Sequence, residues 1–401
     1  MLLLGIGAFV ACSAAVGLAP TPGVLIAARA AQGLAGGLIN PQVSGLVQQL
    51  FPQAERGRAF GVIGTVVGTA TAAGPVVGGG IIAIGGEQFG WRLCFLVNVP
   101  VGIISYLFCR HWVPAAPPRR APRALDLTGA ALLTAGVFGL LFPAVQFDAD
   151  HDPRLALLLV PALGLLAAFV AWERGPGARR GHPLIDLALF RIRSYAGGVS
   201  LALLFFCAYT GTPLVLALFL QEGLGFSPLQ SGLTASAYAV GTAVSAPIGG
   251  RLVPRIGRRL LVWALVLFTF GVAAAAVVAA RSAGAVPPGQ VGLLMVLPLL
   301  VAGLGGGSVI TPNQALSLSE VEVSGGSTAG GMLQTSQRIG NAIGAAVISA
   351  VFYAASSGVA HGSGAASQAQ FGRAYALSLV VSVTFALAAL ALAIRDGRSA
   401  H

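Results

Sequence analysis

The hydrophobic residues of this chain form long runs that are separated by short polar gaps. Each run approaches the roughly 20 residues that a helix needs to cross the hydrocarbon core of a bilayer. Because lipid offers backbone groups no hydrogen-bond partner, continuous apolar runs of this length predict helices and not the alternating strands of a barrel. About twelve helices are predicted, at 1–19, 22–49, 58–85, 91–112, 126–146, 154–172, 195–220, 228–250, 260–280, 290–312, 326–353 and 374–394.

The composition supports an all-α, polytopic membrane protein. Of the 401 residues, 56% are hydrophobic and 9% are charged, whereas soluble domains carry about 25% charged residues. This balance excludes a soluble enzyme. The sequence also lacks the G-x-x-x-x-G-K-[ST] loop of an ATP-driven pump, and it shows no clustered metal ligands. We therefore expect no enzymatic activity, no metal and no organic cofactor.

The arginines are distributed unevenly between the two sides of the predicted membrane. All 23 basic side chains are arginine, and the formal net charge is +11. With a cytoplasmic N-terminus, most arginines fall in gaps on the inside, while the outside gaps hold few arginines and the acidic run 148–152. This asymmetry predicts a plasma-membrane protein with both termini in the cytoplasm. Because the arginines are scattered over short loops, no nucleic-acid partner is expected.

Two basic stretches divide the predicted helices into groups. A segment rich in proline and arginine at 114–123 follows the fourth helix, and a second basic stretch at 173–193 follows the sixth. We therefore predict three regions. They are a bundle of about four helices at 1–113, a linker region with two inserted helices at 114–190, and a six-helix bundle at 191–401.

A weak internal repeat suggests that the first and last bundles are related. The glycine-rich run 33–37, followed by Asn-Pro-Gln at 40–42, recurs as 303–307 followed by Thr-Pro-Asn-Gln at 311–314. With 56 glycines in the chain, such a repeat also arises by chance. Duplicated bundles with interrupted helices at equivalent places are typical of secondary transporters, whose substrate path lies between the bundles.

Several motifs together resemble the major facilitator superfamily, and within it the fourteen-helix drug:proton antiporters. Segment 25–33, with Arg29 and Gln32 one turn apart, is similar to the fourth-helix motif of that family. Segments 64–68 and 74–79 resemble its fifth-helix antiporter motif, and 90–102 resembles the opening of its sixth helix. The resemblance continues to the C-terminal helices through 125–127, 172–174, 249–259 and 334–344.

The chain departs from this branch at its start. Its first helix matches the third helix of the family. The family's first two helices, with the aspartate motif of the first, therefore have no counterpart in this sequence. The interpretations are a start assigned too far downstream, a fragment, or a truncated gene. On this basis 1–113 is the remainder of an N-terminal bundle.

The resemblance implies roles for four groups of residues. Arg29 and Gln32 would form a proton-linked hydrogen-bond network, the alternative being that Arg29 snorkels to the headgroups. A gating motif, or a generic packing face, would comprise Gly64, Gly68, Gly74, Pro75, Gly78 and Gly79, with a helix kink at Pro75. A conformational-switch loop, or a simple topology determinant, would comprise Gly250, Arg251, Arg255, Gly257 and Arg258. The substrate cavity would be lined by Asn40, Asn98, Phe205, Tyr209, Tyr238, Asn313, Gln334 and Arg338, the alternative for Arg338 again being that it snorkels to the headgroups.

The function implied is export of a small hydrophobic or amphipathic molecule, such as a drug or natural product, in exchange for protons. All twelve carboxylates map to loops or helix ends, which puts the identity of the coupling group in doubt; Asp126 and Glu222 are the nearest candidates. The expected partners are this substrate and membrane lipid, and a monomer is expected. The alternative is a non-transporting remnant or a membrane subunit that depends on a partner.

Overall fold

The described residues of the chain form twelve α-helices. A computed structural model describes residues 1–113, 126–150, 157–175, 187–322, 325–357 and 364–398, and no β-strand occurs among them. The all-α prediction is therefore confirmed. The helices are α1 Leu2–Gly17, α2 Pro22–Leu50, α3 Gln53–Leu96, α4 Asn98–Trp112, α5 Leu127–Asp150, α6 Leu159–Arg174, α7 Arg193–Leu218, α8 Pro228–Ile256, α9 Arg258–Ser282, α10 Pro288–Ser317, α11 Gly326–Ser356 and α12 Ala365–Arg398.

Seven of the described segments are long and apolar enough to cross a membrane by themselves. The criterion is met by Pro22–Leu50, Phe89–Trp112, Arg193–Gly223, Arg258–Ser282, Pro288–Ser317, Gly326–Ser356 and Ala365–Asp396. Leu2–Gly17 and Leu127–Gly139 are shorter apolar helices. The chain is thus a multi-pass membrane protein.

Helix α3 is interrupted at Gly86, where the predicted segment 58–85 ends. Its backbone leaves helical dihedrals at Gly86, where φ is 70° and ψ is 172°. A positive φ of this size is easily adopted only by glycine. Helical dihedrals continue through Gly74 and Pro75, and the kink predicted there stays a prediction. Proline lacks an N–H donor, but its fixed φ is compatible with a helix.

The described residues form two compact units, which are considered separately. The first contains those within Met1–Leu50, Ala73–Pro122 and Val323–Gly331. Here α1 packs against α2 and α4, and the first turns of α11 lie on the second half of α2. The approach is close: a β-carbon built on Gly330 would lie 2.6 Å from Ser44 Cβ.

The second unit contains the described residues within Phe51–Ala72, Arg123–Glu322 and Met332–His401. In it α10 packs against α8 and α9, while α12 packs against α9 and α7. Its core is rich in large apolar side chains with almost no exposed surface, namely Phe205, Phe219, Phe268, Met295, Leu299 and Phe352. The domain boundaries predicted from sequence stay a prediction.

The first half of α3 belongs to this second unit. Four glycines at spacings of three and four residues, Gly57, Gly61, Gly64 and Gly68, bring it against α8. A β-carbon on Gly61 would lie 3.1 Å from the Pro247 Cα, and one on Gly68 would lie 2.8 Å from the Ala243 Cα. Small residues at such spacing allow two helix backbones to approach closely. This contact is called the glycine seam below.

Candidate functional site

Arg29 lies in a network of neutral groups in the first unit. Its Nη1 donates to Gln32 Oε1 at 3.0 Å, one turn further along α2. Gln32 Nε2 in turn donates to Ser13 Oγ on α1 at 2.6 Å. The Arg29 guanidinium carbon lies 4.9 Å from the centroid of the Phe95 ring. Gln32 and Ser13 are buried, whereas Arg29 is exposed.

Sequence reasoning placed Arg29 and Gln32 together but missed Ser13 and Phe95. A hydroxyl in the otherwise apolar α1 was an available signal for Ser13. Phe95 belongs to the motif at 90–102, yet nothing in its spacing relates it to Arg29. The network therefore joins α1, α2 and the end of α3. Its proton-linked role stays a prediction.

A second arginine, Arg92, ties the end of α1 to the end of α3. Its Nη1 donates to the carbonyl oxygens of Gly17 at 3.1 Å and Ala19 at 2.8 Å. The guanidinium also lies 4.6 Å from the Trp91 ring centroid. The last carbonyls of a helix lack intrahelical partners, so Arg92 supplies donors that α1 needs. This geometry points to a structural role for Arg92.

Only the first part of the predicted gating motif lies in close contact with other helices. Gly64 and Gly68 lie in the glycine seam, where a β-carbon on Gly64 would come within 2.7 Å of Thr311 Oγ1 and 2.9 Å of Ala246 Cβ. By contrast, no described atom lies within 4 Å of a β-carbon built on Gly74 or Gly78. The surroundings of Pro75 and Gly79 lie outside the described part of the chain. Gating stays a prediction for all six residues.

Three of the predicted cavity residues form an aromatic cluster in the second unit. The Tyr209 ring lies 5.3 Å from that of Phe205 and 5.4 Å from that of Tyr238. Tyr209 OH donates to Thr242 Oγ1 at 3.4 Å, and Tyr238 OH donates to the Tyr209 carbonyl oxygen at 3.1 Å. Phe205 and Tyr238 are buried within the packing of this unit, and Tyr209 is half-buried. Tyr209 is therefore the member of the cluster that retains accessible surface.

The other predicted cavity residues do not join this cluster. Asn313 is buried and donates from Nδ2 to the Gly198 carbonyl oxygen at 3.1 Å, which links α10 to α7. Gln334 is half-buried, and Arg338 is exposed on α11. One turn beyond Arg338, Asn341 Oδ1 accepts from the Thr210 hydroxyl. In the first unit, Asn40 is exposed on α2 and Asn98 begins α4.

The predicted switch loop contains an ion pair. Gly257 joins α8 to α9 with a positive φ of 59°. Immediately after it, Arg258 Nη1 lies 2.8 Å from Asp396 Oδ2 on α12. Arg251 and Arg255 are exposed, and Gly250 lies in the glycine seam against Gly57.

The ion pair borders a small open recess where α7, α9, α10 and α12 meet. Asp396 reaches α7 because Gly197 there has no side chain to block the carboxylate. Sequence reasoning counted Asp396 only as a helix-end residue and missed this pairing. The recess has polar side chains of Ser194, Arg258, Asn313, Ser317 and Asp396 in its wall.

Hydrogen bonds to Asp126 join the start of α5 to the end of α6. Trp172 Nε1 donates to Asp126 Oδ2 at 2.9 Å, and the Gly129 N–H donates to Asp126 Oδ1 at 2.9 Å. Glu173 is buried beside them. An acceptor at a helix start satisfies a backbone donor that has no intrahelical partner. Asp126 therefore caps α5. Within the described residues, no three His, Cys, Asp or Glu side chains converge as a metal site would require.

Comparison with protein families shows a match in both halves. The family model described as Major Facilitator Superfamily matches residues 1–209 and again residues 198–401. Among solved structures, the human organic anion transporter MFSD10 (TETRAN) aligns with a TM-score of 0.61. Its identity is 18%, and the alignment covers 96% of this chain and 76% of that one, a likeness that concerns the fold alone.

Several curated relatives are similar over most of this chain. A probable actinorhodin transporter of Streptomyces coelicolor is 35% identical, over 88% of this chain and 61% of its own length. The tetracenomycin C resistance and export protein of Streptomyces glaucescens is 30% identical, over 86% and 62%. The puromycin resistance protein pur8 of Streptomyces alboniger is 31% identical, over 99% and 78%. The chain thus spans about three fifths of the first two relatives.

Proposed function

Since this chain belongs to the Major Facilitator Superfamily, we propose that it exports a small hydrophobic or amphipathic molecule across the plasma membrane in exchange for protons. The substrate class follows from relatives that are named for actinorhodin transport, tetracenomycin C export and puromycin resistance. This substrate class includes drugs and natural products. Both termini would be cytoplasmic, the proton gradient would supply the energy, and no enzymatic step or cofactor would be involved.

The observation that carries this proposal is the Arg29 network. A guanidinium within an apolar membrane helix is costly, and intramembrane arginines therefore point to functional sites. Here the Arg29 guanidinium contacts the Gln32 amide and the Phe95 ring. The Gln32 amide in turn donates to the buried Ser13 hydroxyl. Neutral partners leave the positive charge uncompensated, so its interactions can change when a proton or substrate arrives nearby. In the aromatic cluster, the half-buried Tyr209 would offer apolar surface and a hydroxyl group to such a substrate.

A second candidate, a membrane subunit that needs additional helices, is favoured by the two copies of the glycine run. In α10, Gly303, Gly305 and Gly307 approach the backbones of neighbouring helices closely. In α2, no described atom lies within 4 Å of a β-carbon on Gly33, Gly36 or Gly37. Glycine within a helix is unfavourable by about 0.5–1 kcal/mol relative to alanine, so a glycine face is best explained by a close neighbour.

Ethidium efflux from energised cells tests both candidates. The 401-residue chain would be compared with a chain extended upstream through the genomic reading frame, each with and without an uncoupler. Uncoupler-sensitive efflux by the short chain supports proton-linked export by this polypeptide. Efflux by the extended chain alone supports the second candidate. If both insert in the membrane and the uncoupler changes neither rate, proton antiport of ethidium is wrong.

A further inference from the structure

The middle of α11 carries an arginine without a partner among the described residues. This helix has 31 residues and is long and apolar enough to cross a membrane. Arg338 comes twelve residues after Gly326, where the helix begins, and so lies about 18 Å along it. None of the described carboxylates pairs with Arg338, and no described residue accepts a hydrogen bond from its guanidinium. A charged side chain at such a depth points to a functional site that supplies the partner.

Arg338 lies on the side of α11 that packs against protein at the start of the helix. Gly331 comes seven residues earlier, a spacing that places both residues on one face. Within the first unit, a β-carbon built on Gly331 would lie 3.4 Å from Pro41 Cγ on α2. This side of the helix therefore begins in a helix contact and not in lipid. Two turns later Arg338 is exposed, so its guanidinium has room for a ligand.

An amide that can donate hydrogen bonds lies one turn from this charge. Asn341 follows Arg338 by three residues, so the two side chains are neighbours on the helix surface. The Thr210 hydroxyl on α7 donates to Asn341 Oδ1, which fixes the orientation of the carboxamide. Its Nδ2 group has no acceptor among the described residues, and Asn341 is half-buried. The guanidinium and this amide together form a group of donors that lacks an acceptor in the described part of the chain.

Such a group suits an anionic oxygen ligand. A carboxylate only accepts hydrogen bonds, and its charge compensates that of a guanidinium. We propose that Arg338 and Asn341 bind the carboxylate of an amphipathic substrate, with Arg338 supplying the charge and Asn341 a further hydrogen bond. This inference rests on the proposed function, and within its substrate class it favours molecules that carry an acidic group.

A matched pair of ligands tests this assignment. The probes are pyrenebutyrate and its methyl ester, which share an apolar body and differ in the carboxylate. Dissociation constants would be measured on the purified full chain by the change in pyrene emission, with empty detergent micelles as background. The wild type should bind pyrenebutyrate more tightly than the ester. Arg338→Gln should weaken pyrenebutyrate binding about tenfold or more and so remove this preference, because hydrogen bonds to charged groups are stronger than those between neutral groups.

Two further variants and a third probe separate charge from structure. Asn341→Asp keeps an oxygen acceptor for Thr210 but replaces the donor with an anion, so it should also abolish the preference for pyrenebutyrate. Arg373→Gln removes an exposed arginine of α12 and is the matched control, which should keep the preference. Ethidium is a cation, so its affinity should rise in Arg338→Gln, where a like charge is removed.

Two results would overturn the assignment. Equal binding of pyrenebutyrate to the wild type and Arg338→Gln would mean that Arg338 reaches the headgroups instead of a ligand. Weaker ethidium binding in Arg338→Gln would mean that this side chain supports packing and does not select by charge. The binding measurements do not depend on transport. If they follow the expected pattern while the wild type shows no uncoupler-sensitive efflux, the carboxylate site is supported and only the proposed function fails.

Discussion

At the scale of single residues, Arg29 is the side chain that most needs an explanation. Insertion scales assign about 2.5–3.5 kcal/mol to an arginine at the centre of a membrane helix. The hydrogen bond to Gln32 and the contact with the Phe95 ring recover part of that free energy, the ring contact being worth about 0.5–2 kcal/mol. None of the described carboxylates pairs with Arg29. Its charge is therefore stabilised but not neutralised.

Replacing Arg29→Ala should remove uncoupler-sensitive ethidium efflux, with a loss of at least tenfold. The physical reason is that Arg29 carries the positive charge of this network. Its described partners Ser13, Gln32 and Phe95 are neutral. Efflux would be measured in cells that contain equal amounts of each protein in the membrane. The matched control is Arg281→Ala, an exposed arginine in the last turn of α9. Equal efflux by the wild type and Arg29→Ala would show that the network has no part in transport.

Sequence predicted the contacts within one helix better than those between helices. Arg29 and Gln32 are three residues apart, and such pairs lie on the same face of a helix. Ser13 and Phe95 come from other helices, and their position depends on how α1 and α3 pack against α2. Phe205 and Tyr238 illustrate the same limit. An aromatic residue in an apolar helix has the same pattern whether it meets lipid, a cavity or the core.

At the scale of helices, the loop between α8 and α9 joins elements that are distant in sequence. Arg258 begins α9, Asp396 lies near the end of α12, and the space at Gly197 admits the carboxylate to the first turns of α7. The two charged side chains are 25% and 26% exposed, so water can replace the ion pair when it opens. A pair of this kind is suited to form in one conformation and break in another.

We predict that the Arg258 and Asp396 pair supports transport through its opposite charges. Arg258→Ala and Asp396→Asn should each lower uncoupler-sensitive efflux at least threefold. The exchanged variant, Arg258→Asp with Asp396→Arg, should recover part of the rate because it restores attraction between α9 and α12. Arg259→Ala is the control, since Arg259 is the exposed neighbour in the same loop. Single variants that export at the wild-type rate would contradict this role.

The helices themselves were largely predictable, because the length of an apolar run sets the length of a membrane helix. The end of α3 shows what the pattern leaves open. The break at Gly86 falls where the predicted segment 58–85 ends. The continuation of α3 from there to Leu96 was not predicted, because one glycine among 56 does not reveal that its φ is positive.

At the scale of the whole molecule, the weak repeat of the glycine-rich runs stays a prediction. The family model matches twice, at 1–209 and at 198–401, and each match contains one copy of the run. The copies differ in their surroundings, because the run at 303–307 is packed against neighbouring helices and the run at 33–37 has an open face. Sequence alone suggested the repeat but not this difference, since packing depends on neighbours that the motif does not encode.

The distribution of arginine predicts the orientation of the molecule, and cysteine labelling can measure it. In a background without native cysteines, Ala285→Cys between α9 and α10 should react with a membrane-impermeant maleimide on intact cells. Arg259→Cys, in the first turn of α9, should react only after the membrane is permeabilised. Both sites are exposed, so a difference in reaction would reflect the side of the membrane and not burial. The reverse pattern would place the Arg258 and Asp396 pair on the outer face and refute cytoplasmic termini. Labelling of both sites on intact cells would show that α9 does not cross the membrane.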